Sequence, residues 1–225
     1  MDLNEVLDTL RALYRPENVK GMARYGINPH NALGVSIPNL RRLARQSGKD
    51  HALALELWDS GIHEARILAG MVDDPGLVTS KQTDSWVKDF DSWDVCDQVC
   101  LNLFSKTSIA FDKALEWSVR PEEFVKRAGF ALMACLTVGD KQAPDERFEV
   151  FMRAIERESG DERNYVKKAV NWALRQIGKR NRRLNKLAVE AAERIRKQDS
   201  KSALWIASDA LRELTDEKIL ARLKY

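Results

Sequence analysis

The sequence predicts an all-α protein, organised as a solenoid of antiparallel helix pairs, and three observations support this fold class. Apolar residues recur at spacings of three and four along almost the whole chain of 225 residues. Hardly any segment alternates strictly between apolar and polar residues, as a half-buried strand would. Proline and glycine divide the pattern into about a dozen short helices joined by turns of about two to four residues, which favours antiparallel neighbours.

The periodicity and its breakers set approximate bounds for each element in chain order. The predicted helices span residues 2–14, 17–24, 37–47, 49–60, 62–73, 79–90, 92–106, 108–119, 121–137, 144–158, 162–179, 183–197 and 201–213, followed by a short tail helix. Prolines stand where first turns are expected, at Pro38, Pro75, Pro121 and Pro144. Glycines stand where helices are expected to end, at Gly48, Gly61, Gly139 and Gly160. Ser92 and Ser200 are candidate N-caps, and residues 26–36 form the only long loop.

The spacing of the helix pairs indicates how they assemble. One pair spans about 30–45 residues, the period of HEAT-like units, although no strict sequence repeat is visible. No linker rich in Pro, Gly or Ser interrupts the chain. We therefore expect residues 1–225 to form a single domain, a right-handed solenoid in which one helix of each pair lines a concave groove.

The charge distribution suggests an anionic partner. The chain is 44% hydrophobic and 32% charged, which excludes a disordered or membrane-embedded protein. Its formal net charge of +3 conceals an asymmetry. Residues 161–200 contain 12 Lys and Arg against 5 Asp and Glu, a net charge of +7, whereas the remaining residues carry a net charge of −4. We expect this stretch to make the concave groove basic.

The cysteines and the N-terminus favour a cytoplasmic protein. The first ten residues are acidic and amphipathic, unlike a signal peptide, and no apolar stretch is long enough to span a membrane. Cys96 and Cys100 are four residues apart on one helical face and are expected in the core. With Cys135 they make only three thiols, which are expected to stay reduced.

No motif indicates a cofactor. The three histidines, His30, His51 and His63, lack metal-ligand spacing. Gly-rich phosphate loops, G-x-S-x-G and zinc motifs are absent from the sequence. We expect neither a metal nor a nucleotide cofactor.

The helix predicted at 162–179 carries an unusual tryptophan. Its core stripe consists of Val166, Val170, Ala173, Leu174 and Ile177. Trp172 lies roughly 130° from that stripe, surrounded by Lys168, Arg175 and Lys179, and Arg180 continues the positive charge. The indole could pack on a neighbouring helix beneath lysine stems. Alternatively, it is an aromatic group in a phosphate-binding face, a combination typical of nucleic-acid binding.

Two further places carry possible chemistry. Trp93 and Asp97 are four residues apart, so they lie one turn from each other on the same helix edge. They could be a surface pair, or a carboxylate held in a partly apolar cleft for electrostatic or general-base work. Arg127 borders the core stripe of the helix predicted at 121–137. It could pair with an acid on the next helix, or bind a phosphate in bidentate fashion.

These three places together resemble the DNA alkylation repair family, the AlkD-like DNA glycosylases built on HEAT-like repeats. The most specific segments are SWDVCD, EEFVKRA and YVKKAVNWALRQIGKRN, with weaker support from GMARYGI (Gly21–Ile27) and IPNLRRLAR. The family active site uses a W-x-x-x-D pair, an arginine two helices later and a tryptophan in the late basic helix. The resemblance therefore implies a catalytic set here of Trp93, Asp97, Arg127 and Trp172.

The resemblance implies excision of cationic alkylpurines, such as 3-methyladenine and 7-methylguanine, from double-stranded DNA in base excision repair. We expect a monomer without cofactor, metal or membrane attachment. Phosphate contacts are expected from Lys168, Arg175, Lys179 and Arg180, with binding that weakens steeply as salt rises. Two alternatives remain: a catalytically silent DNA-binding module, and a protein-interaction solenoid that binds an acidic protein. The other tryptophans (Trp58, Trp86, Trp117, Trp205) and His63 are interpreted as core or packing residues.

Overall fold

The predicted helical periodicity is realised throughout residues 1–223, the part of the chain that the computed structural model describes. This part contains fourteen α-helices, three short 3₁₀ helices and no strand. The α-helices are α1 (Leu3–Ala12), α2 (Pro16–Met22), α3 (Ile37–Ser47), α4 (His51–Asp59), α5 (His63–Val72), α6 (Ser80–Trp86), α7 (Trp93–Asn102), α8 (Ala110–Ser118), α9 (Glu123–Gly139), α10 (Asp145–Glu158), α11 (Asn164–Gly178), α12 (Arg182–Ile195), α13 (Lys201–Leu214) and α14 (Glu217–Leu220). The 3₁₀ helices are Ala23–Tyr25, Val87–Asp89 and Phe104–Lys106.

Side-chain N-caps begin six of the α-helices: α1, α4, α6, α12, α13 and α14. The Ser200 side chain accepts a hydrogen bond from the backbone of Ala203, so this predicted N-cap is confirmed. Ser92 occupies the N-cap position of α7, but its hydroxyl donates to Asp94 instead of capping the helix. Pro38 lies in the first turn of α3 as expected, whereas Pro121 precedes the N-cap of α9 and Pro144 is itself the N-cap of α10. Those two prolines therefore lie just before the first turn of their helices, and not within it as expected.

The chain divides into two compact units, residues 1–109 and residues 110–225. In the first unit, α5 is the central helix and contacts α1, α3, α4 and α7. Trp58 and Trp86 stack in its core with ring centroids 4.0 Å apart. Cys96 and Cys100 are fully buried on α7, which confirms their interpretation as core residues.

The second unit consists of two layers of helices. Helices α8, α10 and α12 pack side by side in one layer, and α9, α11 and α13 pack side by side in the other. Contacts within each layer repeat at one spacing: Arg127 with Tyr165, Asn171 with Asp209, and Glu156 with Arg194 are all 38 residues apart. This structural period lies within the predicted range of 30–45 residues for a HEAT-like pair. The sequence hides it because the repeat is one of packing positions, not of residue identity.

No helix within residues 1–223 combines the length and the apolar character that a membrane span needs.

Candidate active site and nucleic-acid interface

Trp93 and Asp97 lie on consecutive turns of α7, in the first unit. Trp93 is the first residue of the helix, and its indole Nε1 donates a hydrogen bond of 2.9 Å to the backbone carbonyl of Tyr25. This bond ties the start of α7 to the 3₁₀ helix that precedes the long loop. Both side chains are partly exposed, so the carboxylate of Asp97 stands beside a fixed indole at a surface that water and ligands can reach.

Asp94 points to a different neighbour from Asp97. Its Oδ2 lies 2.8 Å from Nε2 of His63 on α5, and its Oδ1 accepts a hydrogen bond of 2.8 Å from the Ser92 hydroxyl. Burial alone would lower the pKa of His63, but the hydrogen bond and charge of Asp94 outweigh it, so the pKa is raised. Burial alone would raise the pKa of Asp94, but its bonds to His63 and Ser92 outweigh this and lower the pKa. The pair is an ion pair that fixes α7 against α5.

The long loop at residues 26–36 is held by a buried carboxylate. Glu64 on α5 is 2% exposed and accepts hydrogen bonds from the backbone amides of Leu33, Gly34 and Val35. Gly34 has φ +71°, and a Cβ there would lie 2.4 Å from the carbonyl oxygen of Arg15, so glycine is required. These contacts enclose a cleft of about 190 Å³ against His63 and Glu64. We attribute a scaffolding role to this cleft because its charged groups already bind the loop and α7.

Arg127 lies on α9 in the second unit and is 6% exposed. Its Nη1 donates a hydrogen bond of 2.7 Å to the backbone carbonyl of Tyr165 on α11. The Tyr165 ring in turn stacks on Phe124, one turn before Arg127, with centroids 5.4 Å apart. The arginine therefore fastens α9 to the first turn of α11, the helix that carries Trp172 two turns later.

Trp172 lies outside the buried stripe of α11, as its helical phase predicted. That stripe is the predicted one: Val166, Val170, Ala173, Leu174 and Ile177. Lys168 is exposed and Trp172 is partly exposed on the opposite side of the helix. An indole and a cation, one turn apart, thus face away from the α8–α10–α12 layer.

The other predicted phosphate contacts have partners inside the second unit. Arg175 binds Glu213 at 2.8 Å and Asp209 at 3.3 Å, and Lys179 binds Glu213 at 2.6 Å. Arg180 donates to the carbonyl oxygens of Thr137 and Ala143, and its guanidinium lies over the Phe148 ring. These contacts reduce the positive charge that the three side chains present to a ligand, while Lys168 keeps its charge in solvent.

A second group of cations surrounds an open cleft of about 500 Å³ at the end of α13. Its lining includes four cations and two acids: Arg175, Arg212, Lys218, Arg222, Glu213 and Asp216. The excess of cations leaves the cleft positive, which suits a phosphate. Sequence analysis missed this cleft because Lys218 and Arg222 lie outside the basic stretch at residues 161–200.

The described residues contain no group of three or more His, Cys, Asp or Glu side chains that could hold a metal ion. The predicted catalytic residues comprise a carboxylate and an indole in the first unit, Asp97 and Trp93, and an arginine and an indole in the second unit, Arg127 and Trp172. Such groups can stabilise a cation, orient water and hold a phosphate.

The tryptophans interpreted as core residues differ in their burial. Trp58, Trp86 and Trp117 are at most 3% exposed, which confirms the interpretation, and His63 is likewise buried. Trp205 is not a core residue, because its side chain is 41% exposed on α13. The core stripe of α13 passes through Ala203, Ile206, Ala207, Ala210 and Leu214. The helical-phase argument that separates Trp172 from the core stripe of α11 also places Trp205 outside the core stripe of α13.

One solved structure matches the chain over almost the whole of both chains. A protein described as belonging to a new family related to the HEAT-like repeat DNA glycosylases, with affinity for branched DNA structures, matches with a TM-score of 0.79. The two are 21% identical, and the match covers 95% of this chain and 96% of that one. A designed armadillo repeat protein, 14% identical, matches with a TM-score of 0.35 over 78% of this chain and 92% of its own. No curated protein sequence matches the chain.

The first of these matches confirms the predicted fold class, an all-α arrangement of HEAT-like helix pairs. The sequence itself matches a family model described as DNA alkylation repair enzyme, over residues 6–214. That range includes α7, α9 and α11, the helices that carry Trp93, Asp97, Arg127 and Trp172. The chain therefore belongs to the DNA alkylation repair enzyme family.

Proposed function

We propose that this protein is a DNA glycosylase that excises cationic alkylated purines, such as 3-methyladenine and 7-methylguanine, from duplex DNA. The observation that carries the proposal is the pair on α7. A partly exposed carboxylate, Asp97, stands one turn from Trp93, whose indole is fixed by the Tyr25 carbonyl. A module that only bound DNA would not need an acid there, because a carboxylate repels the phosphate backbone.

The substrate class follows from the size of the catalytic set. An N-alkylated purine carries a positive charge, so it can leave with the electron pair of the N-glycosidic bond and become neutral without prior protonation. The enzyme then has only to favour the cationic sugar that remains and to supply water. A neutral base lacks this advantage and would need a general acid.

Asp97 is proposed to do both remaining tasks. Its negative charge would stabilise the oxocarbenium character that develops at C1′ as the bond to the base breaks. A water molecule oriented by the same carboxylate then adds to C1′ and gives its proton to that carboxylate, which completes the hydrolysis.

The other members of the set are proposed to assist. The electron-rich indole faces of Trp93 and Trp172 would each stabilise the sugar cation by about 0.5–2 kcal/mol. Arg127 is proposed, from the family resemblance, to contact a backbone phosphate near the lesion and fix the register of the DNA.

The second candidate function is a catalytically silent module that binds DNA. It is favoured by the similar protein described as having affinity for branched DNA structures. Such a module would keep the exposed Lys168 and the positive cleft of α13, and it would not depend on Asp97. A protein-interaction solenoid is the third candidate and would need none of the aromatic or acidic set.

The deciding experiment measures release of 7-methylguanine from methylated duplex DNA by wild type and by Asp97→Asn, with DNA affinity measured in parallel. We expect release by wild type and a loss of about a hundredfold or more in the variant, because an amide cannot stabilise the cation. DNA affinity should be retained or slightly increased. Duplexes containing uracil or hypoxanthine serve as neutral-base controls and should release little base. No release by wild type would favour the binding modules.

A further inference from the structure

Trp205 occupies a position that packing does not explain. Its helix, α13, packs against α11 and α12 and buries Ala203, Ile206 and Ala207, whereas Trp205 is 41% exposed on the opposite side of the helix. Leaving so large an apolar ring in solvent gives up hydrophobic free energy that burial would provide. An exposed aromatic ring beside cations is the combination with which proteins bind single-stranded nucleic acid.

The register of the layer places a cation against this ring. Asn171 with Asp209, and Arg175 with Glu213, bridge α11 and α13 at a separation of 38 residues. The same separation joins Lys167 to Trp205, and the Lys167 Nζ lies 5.5 Å from the centroid of the Trp205 ring. Lys201, one turn before Trp205, lies on the same exposed side of α13.

The ring also faces the same way as the aromatic residue already assigned to the reaction. Trp172 and Lys168 lie on the side of α11 that faces away from the α8–α10–α12 layer. Trp205 lies on the side of α13 that faces away from α12. Both indoles therefore belong to one surface of the α9–α11–α13 layer.

In the described part of the chain, the cations around the ring are not neutralised by ion pairs, and the acid beside the start of α13, Glu162, accepts hydrogen bonds from the Ser200 hydroxyl and the Ser202 amide instead. Within residues 1–223, no carboxylate forms an ion pair with Lys167, Lys168 or Lys201. The acids on the flank of α13 are already engaged: Asp209 by Asn171, Arg175 and Arg212, and Glu213 by Arg175 and Lys179. The carboxylates of an acidic peptide would bind the cations but would not stack on the ring. A nucleotide has a phosphate that binds the cations and a flat base that stacks on the ring.

We propose that Trp205, flanked by Lys167 and Lys201, is a stacking site for an unpaired DNA base. The indole face takes the base, and the lysines take the phosphates on either side of it. A base inside intact duplex has both faces covered by its neighbours, so only a base at a bulge, gap or branch point can bind here. The inference rests on the DNA-binding part of the proposed function and adds a second contact, distinct from excision.

The test compares the affinities for two DNA molecules by fluorescence anisotropy. One is an intact duplex of about 20 base pairs, and the other is the same duplex with a central bulge of about three unpaired nucleotides. Wild type should bind the bulged DNA more tightly. Trp205→Ala should lose roughly tenfold in affinity for the bulged DNA and change little on the intact duplex, since a stacked base is lost only there. Trp205→Phe, which keeps an aromatic face, should recover most of the difference.

Leu204→Ala is the matched control, because Leu204 is 53% exposed next to Trp205 but has no ring on which a base can stack. It should leave the preference for bulged DNA unchanged. Equal binding of the two DNAs by wild type, with 7-methylguanine release intact, would overturn this inference and leave the proposed function standing. Binding of neither DNA would overturn both. Wild-type dimers that Trp205→Ala dissociates in sedimentation velocity would show that a second copy covers the ring, which also overturns the inference.

Discussion

Asp94 and Asp97 are three residues apart on one helix, yet their surroundings give them different tasks. Asp94 is held by His63 and Ser92, and its carboxylate is committed to joining α5 and α7. Asp97 lies on the part of α7 that shares an edge with Trp93. The sequence alone separates the two by helical phase, but it cannot identify His63 as a partner, because that contact depends on how α5 packs against α7.

The His63–Asp94 pair predicts a pH-dependent stability. Because the pKa of His63 is raised, its contribution is fully present below its ordinary value of about 6.5 and is lost as pH rises through the folded value. Because the pKa of Asp94 is lowered, its contribution is present above its ordinary value of about 3.8 and is lost as pH falls through the folded value. The pair is therefore most stabilising between these limits.

His63→Gln should consequently lower the free energy of unfolding, relative to wild type, by more at about pH 5.5 than at about pH 8.5. Urea unfolding at the two pH values measures the difference. His30→Gln, in the exposed part of the loop, is the control. A destabilisation by His63→Gln that is equal at both pH values would show that the pair is not ionic.

At the scale of elements, α8 and α9 approach each other closely in the second unit. Gly129 permits it: a Cβ there would lie 2.6 Å from the Ser118 amide nitrogen and 2.9 Å from the Ala114 carbonyl oxygen. Both clashing atoms are backbone, so neither can move without shifting a helix. The approach matters for the candidate site because Arg127, two residues earlier, fastens α9 to α11.

Gly129→Ala should destabilise the protein by about 1–3 kcal/mol, as overpacking in a close-packed core does. Gly139→Ala is the control at the end of the same helix, where a Cβ would meet no heavy atom within 4 Å. The control should be neutral, or stabilising by up to about 1 kcal/mol, because alanine is the better helix former. Urea unfolding distinguishes the two variants, and a Gly129→Ala protein as stable as wild type would refute this packing account.

The helices were predictable to within a few residues because apolar spacing and capping are local properties. The helices predicted at 37–47, 144–158 and 201–213 differ from the observed ones by one residue or less. The prediction was wrong where an α-helix gives way to a 3₁₀ helix. Residues 92–106 were predicted as one helix but divide into α7 and a 3₁₀ helix. Hydrogen bonds between residues 38 apart, such as that from Arg127 to the Tyr165 carbonyl, were not predictable, because they depend on how neighbouring helices of a layer align.

At the scale of the whole molecule, the excess of positive charge in residues 161–200 is less available than its sum suggests. Arg175 and Lys179 bind acids of α13, outside that stretch, and Arg180 binds backbone carbonyls. A sum over sequence cannot show such pairing. Lys168 keeps its exposure beside Trp172, and it is the cation of the predicted set from which we expect a phosphate contact most directly.

The salt dependence of DNA binding tests this assignment. Lys168→Ala should weaken binding to an intact duplex and reduce the slope of log K against log salt concentration by about 1, because one fewer counterion is released. Lys186→Ala, an exposed cation in the α8–α10–α12 layer, is the matched control and should leave the slope unchanged. Equal slopes for wild type and Lys168→Ala would remove Lys168 from the interface.

We propose that this protein breaks the glycosidic bond of cationic alkylpurines, with Asp97 as the essential carboxylate. The most direct test is the rate of 7-methylguanine release from methylated duplex DNA with enzyme in excess. The account expects release by wild type, little release from uracil-containing duplex, and a loss of about a hundredfold or more in Asp97→Asn with DNA binding retained. Failure of wild type to release the base, or equal rates for the two proteins, would contradict it.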